Sequence, residues 1–179
     1  MNDQPEFMYT DLGERGLLLW GLDYSMNWII DIFRAIPDSL LTRQPAEGIP
    51  SPAWTFGHIA VTERAHVGRV LQQVDDIPPR YNVFYGHDFP SAATEEDVRA
   101  AFESKDELVS YWKAVRQKTK EYLASITDDD LKNVPGTRPP GAGPNWDNPT
   151  REWLLMTLQH QNHNWGRLAT VKALIQSKG

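Results

Sequence analysis

The sequence predicts an all-α protein, a four-helix bundle, on three observations. Four long segments repeat apolar residues at three- and four-residue spacing, links rich in proline and glycine separate them, and no stretch supports a strand-based nucleotide fold. The link between the second and third segments is too long for a tight turn. A crossover running the length of the bundle would make those two helices parallel, giving an up-down-down-up order.

The first helix is expected from about Thr10 to Ile36, with Leu17, Trp20, Tyr24, Trp28, Ile32 and Ile36 as its apolar stripe and Pro37 as its stop. After the breaker-rich link "PDSLLTRQPAEGIP", the second opens at "SPAW", with Ser51 as N-cap and Pro52 in the first turn, and runs to about Val74. The crossover "DDIPPRYNVFYGHDFPSAA" follows and leads back towards the start of that helix. The third helix begins at "TEED", where Thr94 and Asp97 have capping-box spacing, and extends to about Ile126. The fourth starts near Asn148-Pro149, with asparagine as cap, and ends at about Gln176. Residues 1–179 form one expected domain.

The composition, 40% apolar and 23% charged, is that of a soluble globular chain. The absence of cysteine excludes disulfides, zinc–thiolate sites and a cysteine nucleophile. A net charge of −6 argues against nucleic acid as a partner. The start lacks the pattern of a signal peptide, and Asp23 and Asp31 interrupt the most apolar stretch. The expected protein is therefore cytoplasmic and off the membrane.

Helical phase selects the candidate site. On the fourth helix Trp153, Thr157, Leu168, Val171 and Ile175 share a stripe; His160 and Asn164 lie near its centre, and His163 lies on its flank. Arg167 is nearly in line with His160. On the second helix His58 joins Trp54, Val61 and Ala65, whereas His66, eight residues on, is about 12 Å along and some 80° around. His58 and His160 could converge on a metal or share a hydrogen bond in the core. His66 reads as a surface or satisfied residue, and Glu63-x-x-His66 as one isolated half of a di-iron pattern. His87, in the irregular crossover, is a candidate substrate contact.

These residues suggest a family. "SPAWTFGHIAVTER" resembles the second-helix motif of DinB-like bundles (the DinB/YfiT superfamily), "HQNHNWGRL" resembles their fourth-helix motif, usually His-x-x-x-His-x-Gly-Gln-Leu, and "IPDSLLTRQPAEG" resembles the link between their first two helices. The resemblance implies an up-down-down-up bundle, often a homodimer, with a three-histidine site for nickel or zinc. It implies hydrolase or thiol-dependent transferase activity on a small molecule. His58 matches the helix-two ligand and His160 the first helix-four ligand. Where the second helix-four ligand is expected, this chain has Asn164, with His163 one position early, and Arg167 replaces the usual glutamine.

An amide oxygen is a poor ligand for nickel or zinc, and a guanidinium opposes a bound dication, so Asn164 and Arg167 weaken the expected metal. Two outcomes follow. Either His163 or Asn164 completes a metal set with His58 and His160, or Arg167 holds an anionic substrate in a metal-free binding or scaffold bundle.

Overall fold

A computed structural model describes residues 13–86, 93–136 and 147–177, and all its regular elements are helical. Five α-helices are present among them: α1 (Gly13–Arg34), α2 (Pro52–Arg64), α3 (Glu95–Ala101), α4 (Lys105–Ser125) and α5 (Thr150–Gln176). A π-helix, Ala65–Gln72, continues α2, and short 3-10 turns lie at Asp38–Leu40, Pro79–Phe84 and Asp130–Lys132. α1 packs on α5, and α2 packs on both α4 and α5, and between them lie a large apolar cluster and a smaller one formed by Leu18, Leu19, Val67, Leu123, Leu131 and Leu154. Ile29, Phe33, Phe56, Ile59 and Trp112 are fully buried in the larger cluster. No helix among the described residues is long and apolar enough to cross a membrane.

Local capping chemistry behaves as the residues dictate. Ser51 Oγ accepts from the Trp54 amide, with Pro52 beginning α2, and Thr94 and Asp97 exchange both bonds of a capping box. The expected third helix is instead two helices. Phe102 is extended, and Ser104 Oγ caps a fresh start by accepting from the Glu107 amide at 3.1 Å. The cap offered by Ser104-Lys-Asp-Glu competes with helix continuation without any proline or glycine. Asn148 does not cap α5, because its amide turns to Met156. Pro149 takes the N-cap position, and the Thr150 amide is satisfied by the Asn133 carbonyl.

The stripe expected to bury α1 is largely on the surface. Leu17, Trp20, Tyr24 and Trp28 are between 46% and 65% exposed, while Leu18, Leu19, Leu22, Met26, Ile29 and Ile30 face inwards. Two stripes of equal period lie side by side on α1, and contact with α4 and α5 decides which is buried. The aromatic stripe forms a ladder of its own: Trp20 stacks on Tyr24, Tyr24 packs on Trp28, and Trp28 packs on Trp165 of α5.

All four long helices meet in a buried polar network. The carboxylate of Glu63 on α2 is fully buried and accepts from Arg116, Trp112 and Thr119 of α4 and from Gln161 of α5. Arg116 also pairs with Asp23 of α1, which Lys120 engages in turn. Burial opposes the charge on Glu63, but the field of Arg116 and the surrounding donors outweigh it and hold its pKa below the ordinary value. This network fixes the register of α2 against α5, one residue away from His160.

Candidate functional site

The site begins with Gly57. A Cβ there would lie 2.6–2.8 Å from ring atoms of Phe84, so only glycine lets the Pro79–Phe84 turn lie against α2. That close approach delivers two successive carbonyls to the helix: Val83 O accepts from Trp54 Nε1, and Phe84 O lies 2.8 Å from His58 Nδ1. Gly57→Ala should therefore cost about 1–3 kcal/mol through overpacking and loosen His58. Urea unfolding measures the first effect, and the ring resonances of His58 report the second.

A carbonyl only accepts, so His58 Nδ1 carries a proton and a neutral His58 presents a lone pair at Nε2. His58 is buried and stacked on Trp54, and its Nε2 lies 3.0 Å from Nε2 of His160. Asn164, fully buried one turn further along α5, gives its amide nitrogen to the His160 carbonyl and sets it 3.0 Å from His160 Nε2. A His160 that carries its proton at Nε2 donates to the Nε2 lone pair of His58 in an uncharged pair, and the Asn164 amide then rests on the His160 carbonyl.

Two imidazole nitrogens bound about 2.1 Å from one ion at right angles would also be about 3 Å apart, so this spacing suits a proton and an ion alike. The third position separates them. Asn164 directs an N–H rather than a lone pair at the pair, and its oxygen lies 3.4 Å from a nitrogen of Arg167. His163 is exposed, and its Nε2 lies 3.1 Å from the guanidinium of Arg167. Among the described residues no group of three histidines, aspartates or glutamates is arranged to hold a metal. The three-donor site implied by the resemblance does not fit these residues. The structure brings together His58, His160 and Asn164, pairs His163 with Arg167 instead, and His87 lies outside the described residues.

Two openings flank this cluster. A cleft of about 420 Å³ is lined by Thr62, His66, Met156, Gln159, His160 and His163. A groove of about 380 Å³ has Arg167 and His163 on one side and the apolar Ile49, Pro50, Val171 and Leu174 around it. His163 borders both.

His66, expected at the surface or satisfied, is partly buried and faces α5. Its ring packs edge-on against Trp153, and Nδ1 is 2.9 Å from Thr157 Oγ1. Burial lowers its pKa from 6.5 to about 4, with His58 adding to the effect and Glu63 opposing it. A depressed histidine protonates first in the unfolded chain, so its contribution is complete above pH 6.5 and falls away as pH drops towards about 4. That interval corresponds to roughly 3 kcal/mol. Urea midpoints measured from pH 7 to pH 4 should fall less steeply for His66→Gln than for the native chain.

A model of the DinB superfamily matches residues 28–168, which include His58, His160 and Asn164. The chain is also similar to a solved structure described as the conserved protein of locus from Enterococcus faecalis. The two are 20% identical, with 90% of this chain and 96% of the other covered at a TM-score of 0.68, a likeness of fold. A search of curated proteins gives no match. The family model spans most of the chain, from α1 through the glycine–histidine step of α2 to Leu168 of α5, and this chain belongs to the DinB superfamily.

Proposed function

We propose that this protein is a small-molecule-binding member of the superfamily without a resident metal, and that its ligand is a carboxylate with an apolar body. Asn164 carries this reading: it fills the third-ligand position with an amide N–H directed at His160 and an oxygen directed at Arg167. Arg167 supplies a permanent cation beside the apolar walls of the groove, which suits an anionic head and a hydrocarbon body.

Metal analysis of protein purified without a histidine tag tests the first half, with less than a tenth of an equivalent expected (about 0.1) even after exposure to nickel or zinc. Octanoate tests the second. At a hundred times its Kd it should stabilise the fold by about 2.7 kcal/mol, raising Tm by several degrees, and Arg167→Gln should abolish the rise. Stoichiometric metal that disappears in His58→Ala would sink the metal-free reading.

A second reading, a metal-dependent hydrolase or thiol-dependent transferase, is favoured by one observation. The Phe84 carbonyl fixes the His58 tautomer so that Nε2 offers a lone pair, as the outer partner of a metal-bound histidine does. His58 and His160 would then supply two positions on the ion, and the chain's third donor is lacking.

The return of Phe84 to Gly57, after a crossover that leaves the far end of the π-helix, supports the up-down-down-up order. The exposed Trp20–Tyr24–Trp28 ladder, which ends on the partly buried Trp165, supports a homodimer, and sedimentation equilibrium decides between one chain and two.

A further inference from the structure

His66 lies outside the cluster formed by His58, His160 and Asn164, yet it shares the 420 Å³ cleft with His160 and His163. Its hydrogen-bond roles follow from counting protons. Thr157 Oγ1 has one proton and donates it to the Trp153 carbonyl at 2.8 Å. With its proton on that carbonyl, the hydroxyl is left to accept from His66 Nδ1 at 2.9 Å, an arrangement that places the ring hydrogen on Nδ1. A neutral ring with Nδ1–H has its lone pair at Nε2, on the other side of the imidazole from Thr157.

Burial keeps the ring neutral through the physiological range, with a pKa near 4. Trp153 holds it edge-on, so the ring has a fixed direction as well as a fixed tautomer. The backbone is unusual at the same place. α2 gives way to a π-helix at Ala65, one residue before His66, and such turns recur at functional sites. His58 and His66 thereby both address α5, one meeting His160 and the other Thr157.

We propose that His66 is a ligand-binding residue whose Nε2 accepts a hydrogen bond in this cleft from a hydroxyl or amine of the bound small molecule. The proposal rests on the small-molecule reading for the existence of a ligand, but not on Arg167 or on a carboxylate. It gives the site a polarity: acceptor at His66, cation at Arg167, with His163 between the two openings.

The test uses the full chain and two probes of similar shape, phenol, which has a donor, and anisole, which lacks one. Long-range proton–nitrogen correlation spectra at pH 7 should show His66 as the Nδ1–H tautomer, and Thr157→Val should shift the ring towards the Nε2–H form. Phenol should move the Nε2 resonance of His66 and bind about tenfold more tightly than anisole, a preference that His66→Leu removes. An Nε2–H tautomer in the native chain would overturn the proposal, as would equal affinity for the two probes or no phenol response at His66. The tautomer and phenol measurements on the native chain decide the matter even where His66→Leu fails to fold. Loss of octanoate binding with the phenol preference intact would count against the Arg167 reading alone.

Discussion

Replacing Glu63 by leucine should cost about 3–5 kcal/mol of stability, read as a fall in the urea midpoint, because it leaves Arg116 buried without its principal partner. Arg116 is 2% exposed and Glu63 is fully buried, so water cannot replace the lost contact. The double change Glu63→Leu with Arg116→Met should recover at least half of the loss, since apolar pairs often substitute for buried ion pairs at little cost. Asp23 keeps Lys120 in that variant and is not stranded. A Glu63→Leu loss within the usual surface range of about 0.5 kcal/mol would show that the network does not hold the bundle. The pH dependence has a definite sign. The Glu63 carboxyl is held below its ordinary 4.5, so its contribution is present above that pH and is lost as acid protonates it in the folded chain. The same change should disturb the site, because Gln161 bonds Glu63 and stands next to His160 on α5.

Asn164→His should create a three-histidine metal site. A third imidazole one turn from His160 supplies the missing lone pair, and the expected Kd for nickel or zinc moves from above 1 mM to about 1 μM, roughly 4 kcal/mol. Isothermal titration measures it, with His58→Ala in the same background as the control that abolishes binding. Removing the guanidinium by adding Arg167→Gln should tighten the site further, because a cation near the ion is unfavourable. A native chain that already binds metal as tightly as the variant would defeat the metal-free proposal. It would transfer the weight to the two-histidine reading.

Features decided by near neighbours in the chain are legible in the sequence. Ser51 with Pro52 marks the start of α2, and Thr94 with Asp97 that of α3, because a cap is a bond across three residues. The inward positions of His58 and Asn164 follow from helical phase, and both are buried. The second and fourth helices end within about two residues of expectation, at Gln72 and Gln176. The break before Ser104 has a signal of the same local kind, Ser104 followed by Glu107, hidden inside a charged run that reads as continuous.

The aromatic stripe of α1 shows where period alone fails. Leu17, Trp20, Tyr24 and Trp28 repeat as regularly as Leu18, Leu22, Met26, Ile29 and Phe33, and composition favours burying the tryptophans. Glu63 is equally opaque. Its five donors come from residues 49 to 98 positions away, and its spacing to His66 suggests a metal pattern it does not join. His66 gives no sign in the sequence of the π-turn beside it or of Thr157 across the interface.

The sequence by itself determined the long helical segments, the caps of α2 and α3, the superfamily motifs and the substitution at Asn164, all of which depend on residues within a turn or two of one another. Only the tertiary structure decided which face of α1 is covered, that His163 goes to Arg167 rather than to His58, and that His66 joins the cleft. Those outcomes depend on which side chains from different helices meet in three dimensions. Helical period constrains the angle of a residue on its own helix and says nothing of the partner it will find there.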